Sequence, residues 1–137
     1  MVIQFHSPIM VVAGIIGDAQ GRVLIAKRSA RSHQGNKWEF PGGKVVAGET
    51  AATALGRELR EELGITVVKH LPYQCVSHDY GDRLVSLNFF LVQRYLGDPF
   101  GCEGQPLRWV KYRQLQDYSF PTANMAVIKS LLDSWPF

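Results

Sequence analysis

The chain has 137 residues, of which 46% are hydrophobic and 20% are charged, and this composition predicts one compact globular domain over residues 1–137. No apolar run approaches the roughly 20 residues that a membrane-spanning helix needs, and residues 1–6 lack the pattern of a secretory signal, so we expect a cytoplasmic protein without a membrane partner. The net charge of +3 comes from basic residues scattered among acidic ones, which argues against a stable nucleic-acid partner.

The first third of the chain predicts two strands followed by a polar loop. Residues 10–16 are apolar and β-branched, and residues 22–28 alternate in polarity, so we expect two strands joined by a tight turn. Residues 29–36 are polar and predict a loop. A short extended segment at 38–40 stops at the glycines that follow Pro41.

A helix is predicted over residues 51–63. Thr50 is a suitable N-cap, and Gly64 is the residue type that most often follows the last turn of a helix. Its apolar side chains recur at helical spacing and would face a sheet. They are Ala52, Leu55, Leu59 and Leu63.

The second half of the chain predicts three more strands and a closing helix. Two long strands at 66–78 and 84–95 are joined by a turn, and a short strand follows at 107–110. Residues 123–134 predict an amphipathic helix. Strands mixed with two main helices indicate an α/β sandwich around a mixed sheet.

Three glutamates crowd the end of the first predicted helix. Offsets of three and four residues put Glu58, Glu61 and Glu62 on one face, within about one 5.4 Å turn. Like charges at this spacing cost roughly 0.2–0.5 kcal/mol, and the helix dipole disfavours negative charge in the last turn. A solvated acidic face is one interpretation. The other is a magnesium site, because hard carboxylate oxygens suit Mg²⁺ and no histidine or cysteine lies near the acids to form a zinc site.

The segment before this helix has features of a binding loop. Gly42 and Gly43 allow the backbone either to approach a ligand closely or to adopt a positive φ, although a plain turn would also explain them. Glu49 lies eight residues before Arg57, so a loop that folds back over the helix would pair the two side chains. Such a pair would brace the loop against the helix.

These residues together resemble the Nudix box at every defined position. The order is Gly43, five residues, Glu49, seven residues and then the segment that begins at Arg57 and runs to Ile65. The resemblance implies an α/β/α sandwich with a central mixed sheet, and hydrolysis of a nucleoside diphosphate linked to another group. It also implies a bound divalent cation, Mg²⁺ with Mn²⁺ able to substitute. By resemblance the metal ligands are the Gly42 carbonyl, Glu58, Glu61 and Glu62.

Hydrolysis in this family needs a carboxylate to take the proton of the attacking water. Metal ions neutralise the phosphate oxygens and activate that water, so positioning and electrostatics carry most of the catalysis. Glu58 is the first candidate for the general base, and Glu103 is the alternative.

Three further segments resemble the MutT-type branch of the family, which removes oxidised guanine nucleotides from the nucleotide pool. They are residues 33–44, 101–106 and 120–124, in the expected order and at matching spacing. By this resemblance Glu103 is an additional carboxylate of the metal site. We also expect the protein to be a monomer. The implied nucleotide contacts are Arg28, Phe40, Arg83 and Asn124.

The role implied for Asn124 also has a physical basis. A side-chain amide offers a donor and an acceptor side by side. In 8-oxoguanine O6 is an acceptor and N7–H is a donor, so one amide can pair with both. In guanine N7 is an acceptor and would face the amide oxygen, and this buried, unpaired contact would cost about 1–3 kcal/mol. The alternative is that Asn124 caps the last helix, where asparagine is common.

Thr122 and Asn88 depart from the branch pattern, and we expect both to influence the base pocket.

Three functions remain open at this point. The first is an oxidised-purine triphosphate pyrophosphohydrolase that releases the monophosphate and pyrophosphate. The second is the same enzyme class acting on CTP or another pyrimidine triphosphate. The third is a Nudix module that binds nucleotides without hydrolysing them, and the presence of all three helix glutamates argues against it.

The histidines show no ligand spacing, and we expect Cys75 and Cys102 to be free thiols.

Overall fold

The computed structural model of the chain describes residues 8–32 and 35–137. The predicted loop at 29–36 and the segment at 33–44 are therefore described only in part, and residues 1–6, including His6, lie outside the described residues, as do His33 and Gln34. The strands are β1 (Ile9–Ile16), β2 (Arg22–Lys27), β3 (Trp38–Glu39), β4 (Gly42–Lys44), β5 (Thr66–Asp79), β6 (Leu84–Leu96) and β7 (Leu107–Lys111). The α-helices are α1 (Ala51–Leu63) and α2 (Met125–Asp133), and short 3-10 helices span Tyr112–Asp117 and Thr122–Asn124.

The strands form two sheets rather than one. A four-stranded sheet has the order β4-β1-β6-β5, with β1 and β6 parallel and the other pairs antiparallel. This sheet confirms the predicted mixed sheet. A second, antiparallel sheet has the order β3-β2-β7, and its pairings were not predicted because they join segments far apart in the chain.

Two hydrophobic clusters lie on opposite faces of the four-stranded sheet. Successive β1 side chains alternate between them, so that Ile15 belongs to one cluster and Ile16 to the other. The first cluster includes the buried side chains of α2, and the second includes those of α1. The two helices therefore cover opposite faces, which is the α/β/α sandwich expected from the sequence.

Helix α1 begins and ends at the predicted residues. The Thr53 N–H donates to the Thr50 hydroxyl over 3.1 Å, and Gly64 follows the helix with φ of 70° while its N–H donates to the Arg60 carbonyl. Ala54 rather than Ala52 completes the buried stripe, since Ala52 lies in the exposed first turn. The sequence pattern thus fixes the helix that carries the three glutamates.

Strand β4 is the element that the sequence pattern missed. Its residues were predicted as part of a turn, yet they pair with β1, with Gly42 opposite Ala13 and Gly43 opposite Val12. This pairing sets the glycines beside α1, which packs against both β1 and β4.

No helix in the described ranges is long and apolar enough to cross a membrane.

Helix α2 is shorter than predicted, and contacts in its second half and just beyond its end hold it against the rest of the fold. It starts at Met125, after a 3-10 turn, instead of at residue 123. The Gln74 side-chain amide donates to the Ser130 hydroxyl over 2.6 Å, which ties the helix to β5. Beyond its end, the Trp135 indole stacks on Tyr112 and donates to the Asp18 carbonyl.

Candidate active site

The two glycines of β4 are required by close approach and not by a positive φ. A Cβ atom at Gly42 would lie 1.9 Å from the Val12 carbonyl oxygen, and one at Gly43 would lie 2.4 Å from the carboxyl carbon of Glu58. Neither glycine has a left-handed conformation. Glycine therefore allows the backbone of β4 to lie directly against β1 on one side and against the carboxylate of α1 on the other.

Arg57 is the centre of the contacts between the loop and α1. Its Nε and Nη2 donate to the two carboxylate oxygens of Glu49 over 2.7 and 2.9 Å, so the predicted pair is present and bidentate. Nη2 also donates to the Lys44 carbonyl, and Nη1 donates to Glu58 over 2.9 Å and to Glu61 over 3.2 Å. One guanidinium thus joins the end of β4, the loop and two of the helix glutamates.

The Glu49–Arg57 pair predicts a distinct acid dependence of stability. The Arg57 hydrogen bond, with that of the Val46 N–H, lowers the pKa of Glu49 from 4.5 to about 2. Folded Glu49 binds its proton more weakly than unfolded Glu49, so its stabilisation is complete above pH 4.5 and is lost as the pH falls towards 2. We expect the denaturant midpoint of Glu49→Gln to change less than that of the unaltered chain between pH 5 and pH 2. Parallel midpoint curves for the two proteins would contradict this prediction.

The three helix glutamates do not share one environment. Glu62 accepts the Gly42 N–H over 3.1 Å, and burial together with the nearby Glu39, Glu58 and Glu103 raises its pKa to about 8. Burial also raises the pKa of Glu58, while its hydrogen bond from Arg57 opposes the shift. The Glu61 side chain is 56% exposed. The structure therefore turns Glu58 and Glu62 towards β4 and leaves Glu61 at the edge of the group.

Glu103 reaches the helix glutamates because its loop is tied to the end of α1. The Cys102 N–H and the Gln105 side-chain amide both donate to the Glu62 carbonyl over 3.0 Å, and the Gln105 side-chain oxygen accepts the Glu103 N–H. The charge of Glu103 contributes to the raised pKa values of Glu58 and Glu62. Gln105 was part of the segment that resembles the MutT branch but was not selected as a site residue.

Glu39 is a member of this group that the sequence analysis did not select. It lies on β3, accepts a hydrogen bond from Arg28 Nη1, and contributes to the raised pKa of Glu62. Burial raises the pKa of Glu39 itself, against the opposing effect of Arg28. The available signal was an acidic residue between two aromatic ones in a short, half-buried strand.

The chemistry of these side chains fits a divalent cation. Over residues 8–32 and 35–137, no three His, Cys, Asp or Glu side chains already stand as a group that could hold a metal ion. However, four carboxylates repel one another around Glu62 in surroundings partly shielded from water. A divalent cation would relieve this repulsion, and an all-oxygen donor set suits Mg²⁺ or Mn²⁺ better than zinc.

A cavity of about 720 Å³ opens beside the carboxylates. All four predicted nucleotide contacts line it, namely Arg28, Phe40, Arg83 and Asn124. Glu39, Glu62 and Glu103 line it as well, together with Lys44 and Tyr80, which the sequence analysis did not select. Thr122 and Asn88 are not among its lining residues, so the expectation that they shape the base pocket is not supported by the structure.

Asn124 and Phe40 are both buried at the wall of this cavity. Asn124 is 5% exposed, occupies the residue before α2 and makes no side-chain capping hydrogen bond; its amide donates to the Pro121 carbonyl over 3.4 Å. The capping alternative therefore lacks its hydrogen bond. The Phe40 ring, 2% exposed, lies 5.4 Å from the ring of Phe120 and 6.2 Å from that of Phe89, so it also belongs to the core.

Comparison with known proteins identifies the family. A family model described as the NUDIX domain matches residues 12–130, which is most of the chain. The chain belongs to the Nudix family. This membership confirms the predicted class of enzyme, a hydrolase acting on phosphoanhydride bonds, and Nudix hydrolases generally need a divalent metal ion.

Individual Nudix proteins are similar to this one over nearly their whole length. The 8-oxo-dGTP diphosphatase of Escherichia coli is 41% identical over 90% of this chain and 95% of its own. A solved MutT structure, from work on Aliivibrio salmonicida and Vibrio cholerae, superposes with a TM-score of 0.82 and 42% identity over 94% of this chain and all of that one. The CTP pyrophosphohydrolase of Escherichia coli is less similar, at 34% identity over 90% of this chain and 91% of its own.

Proposed function

We propose that this Nudix protein hydrolyses 8-oxo-dGTP to 8-oxo-dGMP and pyrophosphate, with Mg²⁺ as its cofactor and Mn²⁺ able to substitute. The observation that carries the proposal is that Asn124 and the carboxylates Glu62 and Glu103 line one cavity. The E. coli relative named for this activity supports the choice of an oxidised guanine nucleotide.

The carboxylates and the β4 backbone carry the hydrolytic end of the proposal. The residues that would hold the cation are Gly42 through its carbonyl, Glu58, Glu61, Glu62 and Glu103. When bound, the cation neutralises phosphate oxygens and lowers the pKa of water. Glu58 is the proposed general base, because Arg57 fixes one of its oxygens and Gly43 lies against its carboxyl group. Glu103 remains the alternative base.

Basic side chains line the same cavity and complement the triphosphate. Lys44 lies at the end of β4 and lines the cavity, as do Arg28 and Arg83. Their charges offset the repulsion between a polyanionic substrate and the carboxylates. The Asn124 amide, which also lines the cavity, would donate to O6 of the oxidised base and accept from its N7–H. A pyrimidine triphosphate such as CTP is the second candidate substrate, because one relative is described as a CTP pyrophosphohydrolase.

A panel of nucleotides with Mg²⁺ tests the substrate directly. We expect kcat/KM for 8-oxo-dGTP to exceed that for dGTP and for CTP by about two orders of magnitude, because more than one buried hydrogen bond would be mismatched. The measurement is the release of monophosphate and pyrophosphate. Equal values for 8-oxo-dGTP and dGTP would rule out recognition of the oxidised base, and preference for CTP would support the second candidate. Binding without turnover of any nucleotide would indicate a non-hydrolytic module.

Replacing Asn124 by alanine should reduce selectivity more than rate. We expect the ratio of kcat/KM for 8-oxo-dGTP over dGTP to fall about tenfold or more, while turnover of dGTP changes little, because the amide distinguishes the two bases at N7. Thr122→Ala is the matched control, since Thr122 is exposed and does not line the cavity. If Asn124→Ala leaves the ratio of the two kcat/KM values unchanged, Asn124 has a structural role and does not read the base.

A further inference from the structure

Glu39 lines the same cavity as Asn124 and the carboxylates Glu62 and Glu103. It pairs with Ala26 in the β2–β3 ladder, and this register is fixed by the neighbouring pair of Lys27 with Trp38 and by the bond from the Arg28 N–H to the Lys37 carbonyl. Its side chain is only 25% exposed. On one side it accepts a hydrogen bond from Arg28, and on the other it is within electrostatic reach of Glu62 and Glu103.

The carboxylate of Glu39 adds negative charge beside Glu62 and Glu103, which already repel each other, so a favourable role must offset this cost. The backbone pairing of β2 with β3 does not require an acidic side chain. The Trp38 side chain packs against Tyr118 and Arg108, which holds β3 in place without help from Glu39. Partial burial of an ion pair is also weak evidence for stability, since desolvation offsets the attraction between the charges.

The bond to Glu39 has a geometric consequence for Arg28. A guanidinium is planar and carries its five N–H donors in fixed directions. Once Nη1 is bonded to a carboxylate on β3, the guanidinium has fewer orientations available at the cavity wall. A long arginine side chain otherwise loses substantial rotamer freedom when it binds a ligand, which weakens the binding.

We propose that Glu39 is a positioning residue that presets the Arg28 guanidinium for the nucleotide and contributes to affinity only through Arg28. The inference rests on the proposed function, because it takes Arg28 as a nucleotide contact. It assigns Glu39 to nucleotide binding rather than to the metal ligands, although it lies close to Glu62 and Glu103.

A double-mutant cycle on product binding tests this assignment. Calorimetry measures the Kd of 8-oxo-dGMP and of CMP without divalent cations, in EDTA, for the unaltered chain, Glu39→Gln, Arg28→Ala and the double variant. We expect Glu39→Gln to weaken binding about tenfold and Arg28→Ala by about ten- to a hundredfold, as for the loss of a charged hydrogen bond. The double variant should match Arg28→Ala within about twofold.

Two controls separate positioning from a general effect on folding. Asp18→Asn alters another ion pair, that of Asp18 with Arg22 at the β1–β2 turn outside the cavity, and should leave the Kd unchanged. In steady-state assays Glu39→Gln should raise KM for the nucleotide, with kcat and the half-saturating Mg²⁺ concentration changed by less than about threefold.

The outcomes distinguish this inference from the proposed function. If Glu39→Gln weakens binding equally in the presence and absence of Arg28, or if it mainly shifts the Mg²⁺ dependence, then Glu39 acts directly and the inference is wrong. If the unaltered chain prefers CMP to 8-oxo-dGMP, the proposed substrate is wrong, while the same cycle with CMP still decides the role of Glu39. If neither monophosphate binds, the inference about Glu39 is wrong, while the proposed function is decided separately by turnover of the nucleotide panel with Mg²⁺.

Discussion

Replacing Glu58 by glutamine is expected to lower kcat by about three orders of magnitude while the protein remains folded. Glutamine keeps the shape of the side chain but cannot accept a proton from water, and a positioned general base contributes about 10²–10⁴-fold. It also removes one negative charge from the group around Glu62. The measurement is turnover of 8-oxo-dGTP at saturating substrate and Mg²⁺.

The thermal stability of this variant separates a catalytic role from a structural one. Burial and the neighbouring acids already disfavour the charged form of Glu58, so its neutral replacement should melt within a few degrees of the unaltered chain. Glu61→Gln is the comparison on the same helix, because its more exposed side chain also contacts Arg57 and is a proposed metal ligand but not the proposed base. If Glu58→Gln keeps most of its activity, the base is elsewhere, and Glu103→Gln becomes the next variant to measure.

Gly42→Ala is expected to damage the fold and the site together. The added Cβ would lie 1.9 Å from the Val12 carbonyl oxygen, a backbone atom that no rotamer change can remove, so β4 must separate from β1. We expect a loss of about 3 kcal/mol in the free energy of unfolding, as for severe overpacking. Because the Gly42 N–H also bonds to Glu62, the fraction that remains folded should turn over at least about a hundredfold more slowly.

Two other glycines provide controls for this substitution. At Gly43 the added Cβ meets the end of the Glu58 side chain, so Gly43→Ala should retain more stability than Gly42→Ala while still losing activity through displacement of the base. At Gly56, inside α1, nothing lies within 4 Å, and Gly56→Ala should stabilise the protein by roughly 0.5–1 kcal/mol. Denaturant unfolding of the three variants measures the order of their stabilities directly. A Gly42→Ala variant as stable as Gly56→Ala would show that β4 does not require this contact.

The features predicted correctly from the sequence depend mainly on local interactions. Helix α1 has its predicted limits because its cap at Thr50 and its terminal Gly64 act within a few residues of the helix ends. The pair of Glu49 with Arg57 could be predicted because the spacing allows a short loop to return to the helix. The family pattern then supplied Glu103 and Asn124, which no local rule would have joined to the box.

The features that the sequence did not reveal depend on contacts between distant segments. Strand β4 pairs with β1 through glycines that, taken alone, indicate only a turn. Glu39 enters the site because β3 pairs with β2. Glu103 was predicted, but the bonds from Cys102 and Gln105 to the end of α1 that hold its loop there were not. The unequal exposure of Glu58, Glu61 and Glu62 also depends on β4, since a helical wheel alone gives them one face.

The division of the core into two clusters has a consequence for how such an enzyme can change during evolution. The glutamate helix packs on one face of the central sheet, whereas α2, which carries Asn124 at its start, packs on the other. Mutations around Asn124, the proposed base-reading residue, can therefore accumulate on one face without disturbing the packing under the proposed hydrolytic residues. A lineage with this architecture can acquire a new nucleobase preference while retaining an inherited mechanism for cutting the phosphate chain.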